Sequence, residues 1–327
     1  MAEILSLAVA NLLSPVVLCF ALGALAAALR SDLAMPEAVA KGIVIYLMLA
    51  IGMKGGTAMA ESGGVGAAPA ILVAVAISFL LPVLGYGLLR SFAKTPVADA
   101  AAIAAHYGSV SVVTFVTAQQ FMTDRGISSE PYLVAMLAAM ETPAIVTGLL
   151  LARLGGVGRD SGRSGTAGHI VREVLLNASV VLLIGGFVIG WLSGPVAMSK
   201  VKPLMVDLFN GLLCLFLLDM GLVAVRQLRS VSDVRPMLIV FAIVMPLIGA
   251  ACGLAAGLLV GLGAGGTALF ATLCASASYI AVPAAMRLAL PEARPSIYVT
   301  LSLGITFPFN VVFGIPLYYA LAERLAL

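Results

Sequence analysis

The sequence predicts an all-α, polytopic membrane protein of about ten spans, built as two inverted five-helix halves with broken helices four and nine. Three observations carry this. The chain is 62% apolar and only 10% charged, which a water-soluble domain of 327 residues does not tolerate. Apolar runs long enough to span a bilayer follow one another almost without interruption. The chain also resembles itself: Tyr107-Gly-Ser-Val-Ser111 and Cys274-Ala-Ser-Ala-Ser278 align Ser109 with Ser276 and Ser111 with Ser278, an offset of 167 residues by subtraction. The match extends to Leu81-Pro82 opposite Met245-Pro246 and to Thr142-Pro143 opposite Phe307-Pro308.

Taken in order, the first run, 12–30, follows Glu3 rather than a basic stretch and is too long for a signal core, so it reads as a span. The second, 37–60, carries Lys54 near one end, where a lysine is expected to snorkel. The third is 67–90. The fourth, 97–122, is interrupted at its middle by Gly108 among His106, Ser109, Ser111 and Thr114. The fifth, 131–154, holds Glu141 in Met140-Glu-Thr-Pro143. A glycine- and serine-rich segment with interleaved arginines, 155–169, reads as a solvated linker between the halves 1–154 and 170–327. His169 within it carries no signal. The sixth span is 170–193, and the seventh, 203–226, holds Asp219. The eighth, 236–262, leads into a ridge of Gly249, Gly253, Gly257, Gly261 and Gly265, a surface for close helix packing. The ninth, 265–290, is interrupted by Ser276, Ser278 and Pro283, and the tenth is 296–322.

Basic residues set the orientation. With the N-terminus outside, the 18 lysines and arginines divide 13 to 5 in favour of cytoplasmic loops, which include Arg90, Lys94, Arg153, Arg159, Arg163, Arg226, Arg229 and Arg235. Both termini are then extracytoplasmic. An odd number of spans per half makes the second half enter upside down. The four cysteines have no paired spacing and read as small core residues, with no disulfide set and no transition-metal site. The net charge of +3 gives no reason to expect nucleic acid, and enzyme and nucleotide-binding signatures are missing.

The two breaks carry the chemistry. Backbone freed at mid-bilayer is tolerated only where it packs in protein or lines a cavity. A half-helix starting at a break offers unpaired N–H groups and a positive dipole end to an anion, while carbonyl and hydroxyl oxygens suit sodium. The candidate anion ligands are Gly108, Ser109, Val110, Ser111, Ser276, Ala277 and Ser278. The candidate sodium ligands are Ser109, Ser111, Glu141, Thr142, Ser276 and Ser278. An acid within a span is costly enough to mark function, which singles out Glu141 and, with an alternative role as a partner of Arg226, Asp219. His106, a lone histidine, is expected to pack or line the cavity.

At Gly108-Ser-Val-Ser111, Glu141-Thr-Pro-Ala144, Cys274-Ala-Ser-Ala-Ser278 and Pro316, the chain resembles the cyanobacterial-type sodium-dependent bicarbonate transporter family nearly end to end. The resemblance implies a five-plus-five inverted repeat, a homotrimer in a bacterial cytoplasmic membrane, uptake of bicarbonate with sodium by an elevator-like motion, and control by a cytoplasmic PII-like protein. Together with the basic inner loops it makes Arg159, Arg163, Arg226 and Arg229 candidates to receive the regulator's loop, the alternative being that they only set topology. It departs at Tyr279, where members tend to carry an acid, and at His106 and Tyr107, where they carry small residues. The expected function is thus sodium-coupled symport of bicarbonate or a similar anion through the lipid bilayer, with no cofactor beyond the coupling ion. A carrier of small organic acids using Glu141 as a proton site is one alternative. A membrane receptor for a PII-like regulator is another, and an intramembrane enzyme lacks the acid–base or metal set it would need.

Overall fold

Apolar composition drives the backbone to satisfy its own hydrogen bonds, and the computed structural model is accordingly helical, with no strand among the described residues, 11–62, 67–157, 178–230 and 234–325. In chain order the helices are α1 (Pro15–Ala28), α2 (Glu37–Ser62), α3 (Ala67–Ser91), α4 (Val97–Gly108), α5 (Val112–Thr123), α6 (Leu133–Leu154), α7 (Ala178–Met198), α8 (Phe209–Ser230), α9 (Pro236–Leu259), α10 (Ala264–Ala275), α11 (Ala281–Ala289) and α12 (Pro295–Leu325). Local chemistry sets several starts. Ser14 caps α1 by accepting the Val17 N–H at 3.4 Å, and proline opens α1, α9 and α12, where no N–H is missed. Within α12 two wide π-turns, Thr300–Thr306 and Asn310–Gly314, relax the spiral. Gly194, at φ 66, breaks α7 ahead of Pro195.

Among the described residues eight segments are long and apolar enough to cross a membrane, with α4 and α5 together forming one of them. The chain is therefore a multi-pass membrane protein. The count falls below the ten expected for two reasons. The described part of α1 has 14 residues, about 21 Å at 1.5 Å per residue, short of a ~30 Å hydrocarbon core. Helix α10 has 12 residues because it ends at the Ser276 break. Most of the expected linker and the start of the expected sixth span, with Arg159, Arg163, His169 and Arg172, lie outside the described residues.

The helices sort into two packed groups. In the first, α1 packs on α8 and α2 on α7. Glycines make these contacts close: a Cβ on Gly23 would lie 1.9 Å from the Leu218 carbonyl oxygen, and one on Gly56 would lie 1.9 Å from that of Phe187. Contacts advance together along each pair. Gly52 meets Leu183 and Gly56 meets Phe187; Gly23 meets Leu218 and the Arg229 guanidinium reaches the carbonyls of Ala27 and Ala28 at 2.9 and 2.8 Å. Both pairs are therefore parallel. Arg226 likewise donates to the Leu33 carbonyl at 2.6 Å, in the loop after α1, while Arg229 meets the C-terminal carbonyls of α1, where a cation suits the helix dipole.

The second group comprises α3, α4, α6, α9, α10 and α12, with the half-helices α5 and α11 among them. Gly249 and Gly253 let α9 lie against α10, as the ridge predicted, but the ridge ends there and at Gly257. Gly261 leaves the helix at φ 75, and Gly265 instead packs against the Ser128 carbonyl. Helices α4 and α5 occupy the centre: in the span 97–123 the most apolar window is wholly buried, against 22% for α7. Polar groups at that break therefore meet protein rather than lipid.

Candidate ion site at the crossed breaks

Gly108 ends α4 where a Cβ would lie 2.1 Å from the Pro82 ring, so α4 passes α3 here with no room for a side chain. Beyond it Ser109 (φ −85, ψ 175) and Ser111 (φ −106, ψ 111) are extended, and α5 restarts at Val112. In the other break, Ser276 (φ −81, ψ 163) ends α10, and α11 restarts at Ala281. The two breaks cross and run in opposite directions. The Ser111 N–H donates to Ser276 Oγ at 2.8 Å, and the Ser278 N–H donates to the His106 carbonyl at 2.8 Å. Ser276 Oγ in turn donates to the Leu273 carbonyl at 2.8 Å. Ser111 Oγ caps α5 by accepting the Thr114 N–H at 3.2 Å, and Ser278 Oγ accepts the Val282 N–H at 3.4 Å. The N-terminal ends of α5 and α11 and the C-terminal ends of α4 and α10 thus converge on one point, bringing both dipole signs together.

Around that point lies a cavity of ≈ 10 Å³, lined by Met48, Val110, Ser111, Val112, Glu141, Ser278, Tyr279 and Ile280. It has room for one water-sized particle, and so for a bare monovalent ion. Glu141, 3% exposed, enters from α6, and its Oε2 has no hydrogen-bond partner among the described residues. A buried carboxylate oxygen left unpaired is costly unless a cation or proton meets it. Tyr279 stands in the same wall, edge-on to Phe307 at 5.4 Å. Where the resemblance led one to expect an acid after the second serine cluster, the acid of this cavity comes from α6 instead.

Not every expected residue lines the cavity. Ser111, Val110, Ser278, Glu141 and Tyr279 do. Ser109 and Ser276 lie one shell back, the first donating to the Glu141 carbonyl at 3.3 Å and the second clamping Ser111. Gly108, Ala277 and Thr142 do not line it. His106 is fully buried; its Nδ1 donates to the Ala102 carbonyl at 2.7 Å, and its ring stacks on Tyr298 at 4.3 Å. It takes part through its backbone carbonyl. Asp219, buried in α8, belongs to the other helix group and does not reach the cavity. Lys54 does not snorkel freely; its ammonium sits 4.8 Å from the centre of the Phe209 ring, a cation–π contact.

The sequence reading passed over the supports. Ser78 donates to the carbonyls of Gly108 and Met140, tying α3 to the first break and to α6 at 3.1 and 2.6 Å. Asn310 donates to the Ala275 carbonyl at 2.8 Å and accepts from the Tyr318 hydroxyl at 2.8 Å, tying α12 to the second break. Tyr107 and Thr306 share a hydrogen bond of 2.6 Å, and Thr306 donates to the Ala242 carbonyl at 2.7 Å. A buried Asn or Ser in an apolar span is itself a legible signal; Met48 and Ile280 offered none.

Comparison with known proteins agrees with this geometry. No curated protein sequence matches the chain significantly. A family match does, and it runs from residue 15 to residue 323, through both breaks and every described helix. On that match the chain belongs to the Na+-dependent bicarbonate transporter superfamily.

Proposed function

We propose that the chain is a sodium-coupled symporter of bicarbonate or a similar small anion, working by elevator-like alternating access. The observation that carries this is the crossing of two broken helices around an ion-sized cavity lined by Glu141, whose carboxylate keeps an oxygen without a partner among the described residues. Sodium is held by Glu141, Ser111 and Ser278 with the break's free oxygens. Its charge then completes a field in which the N-terminal ends of α5 and α11 accept the anion. A cavity of ≈ 10 Å³ is too small for the four heavy atoms of bicarbonate beside an ion, so loading requires the wall to part. The wall that parts is the one contributed by Met48 of α2, the only lining residue from the other helix group.

The same reading makes the molecule ten spans in two inverted halves, 1–154 and 170–327, joined by the cytoplasmic linker 155–169, with both termini outside. The parallel α1–α8 and α2–α7 pairs and the antiparallel breaks support it, because inversion of an odd-span half requires those directions. One further correspondence favours it. At the start of α4, Asp99 receives the Arg294 N–H, Nε and Nη2 at 2.8, 2.9 and 2.6 Å, joining α4 to the start of α12. Glu130, in the loop before α6 of the same half, receives the Gly263 N–H at 2.7 Å, joining that loop to the start of α10 in the other half. Gly266 lies 167 residues after Asp99, and a Cβ on it would fall 1.7 Å from Glu130 Oε2. The two halves use one design with the acid moved from helix to loop. The homotrimer and a PII-like regulator belong to this reading as what the resemblance to the family implies.

The test is uptake of labelled bicarbonate into proteoliposomes with and without an inward sodium gradient. Uptake should follow sodium. Uptake driven by a proton gradient alone would favour the organic-acid carrier instead.

A further inference from the structure

The outer surface between α3 and α9 holds a groove of ≈ 240 Å³ lined by Leu88 and Phe92 from the end of α3 and by Met237, Val240 and Val244 from the start of α9. No polar atom lines it, and Phe92 is 69% exposed. Three cations stand at the same end of both helices. Arg90 lies half a turn before Phe92, Lys94 follows the groove residue Ala93, and Arg235 is the residue before Pro236, two before Met237. Among the described residues no carboxylate pairs with any of them. Arg90 spends one N–H on the Thr95 carbonyl at 2.6 Å, which holds its guanidinium across the 91–95 loop with further donors free. Lys94 has φ 47, in the left-handed region where glycine is at ease, so the loop keeps a lysine at a backbone position that favours another residue.

We propose that this groove is a binding site for an anionic phospholipid, one acyl chain lying between α3 and α9 and the phosphate held by Arg90, Lys94 and Arg235. Charge decides the occupant. An apolar slot alone accepts any lipid tail, whereas three unpaired cations at its mouth favour a headgroup with net negative charge, each contributing roughly fivefold in affinity near a membrane surface. The clustering of basic residues on the cytoplasmic side by the positive-inside rule puts the site in that leaflet. The site joins α3 and α9, the helices that flank the two breaks, so its occupant rides with the helix group that holds the ion cavity.

Native mass spectrometry of the full chain in detergent, with phosphatidylglycerol or phosphatidylcholine added, tests this. The wild type should retain phosphatidylglycerol on the order of tenfold or more over phosphatidylcholine. Lys94→Gly relieves the left-handed strain, so it should melt no lower than wild type while cutting that preference about fivefold. Arg90→Gln/Lys94→Gly/Arg235→Gln should bring the ratio near one. Val240→Trp, which fills the slot and leaves the charges, should release both lipids. Equal retention of the two lipids by the wild type overturns the proposal, as does an unchanged ratio in the triple variant. Displacement of phosphatidylglycerol by inorganic phosphate alone, or a lipid-independent dimer through this face, overturns it too.

Discussion

Glu141 and Ser276 separate two ways in which a side chain serves an ion site. Glu141 has a carboxylate oxygen without a partner among the described residues, which leaves it available to an ion. Glu141→Gln keeps the shape and removes the charge. Apparent sodium affinity in proteoliposome uptake should fall by at least tenfold, with anion affinity less affected and thermal stability in detergent unchanged or higher. A loss of stability with sodium dependence intact would remove Glu141 from the site. Ser276 is the reverse case, because it accepts from Ser111 and donates to Leu273 without lining the cavity. Ser276→Ala leaves the Ser111 N–H buried and unpaired, costing about 1–3 kcal/mol. Uptake should drop strongly for sodium and anion alike, since both half-helix ends shift; near-normal transport would exclude the clamp. Both residues were legible in the sequence, because a charge or a matched hydroxyl in an apolar span is conspicuous. Which serine lines the cavity was not, since Ser276 and Ser278, two residues apart on extended backbone, are expected on the same side.

At the scale of the helix, the breaks were legible because polar and helix-disrupting residues recur at matched positions in both halves. The pairing of α1 with α8 and of α2 with α7 was not, because it joins segments more than a hundred residues apart, and scattered glycines such as Gly23 and Gly56 name no partner. The α9 ridge was read correctly as a packing surface and too long by two glycines, since spacing alone does not reveal where the helix ends. Its energetic role can be measured. A Cβ on Gly249 would lie 2.0 Å from the Cys274 carbonyl oxygen, and backbone cannot swing aside as a side-chain tip does. Gly249→Ala should cost about 1–3 kcal/mol and displace the end of α10, which carries Ser276. Lowered melting and lowered uptake should appear together. A variant melting like the wild type would mean that α9 and α10 are not held at this spacing.

At the scale of the molecule, the question is whether the two helix groups move against each other. Their boundary by the cavity is apolar on both sides: Val44, Leu47, Met48, Leu213 and Phe216 face Val112, Val113, Val116 and Ile280 around a second cavity of ≈ 10 Å³. Van der Waals contacts between aliphatic surfaces have no preferred register, unlike the hydrogen bonds that clamp the breaks within their own group. The α1–α8 and α2–α7 pairs, by contrast, are locked by glycine contacts, so beside the cavity the two helix groups meet along a smooth apolar boundary, crossed elsewhere by the Asn11 amide donating to the Val311 carbonyl at 2.6 Å. Met48 and Ile280 line both cavities from opposite sides of it. In a chain whose native cysteines are replaced, Met48→Cys/Ile280→Cys should therefore take up labelled bicarbonate while reduced and fall to background once cross-linked. Reductant should restore uptake. Each single cysteine should be indifferent to oxidant, which separates the bridge from simple thiol damage. Full uptake by the quantitatively cross-linked protein would mean that the ion crosses without relative movement here, and the elevator reading would give way to a local gate at the breaks.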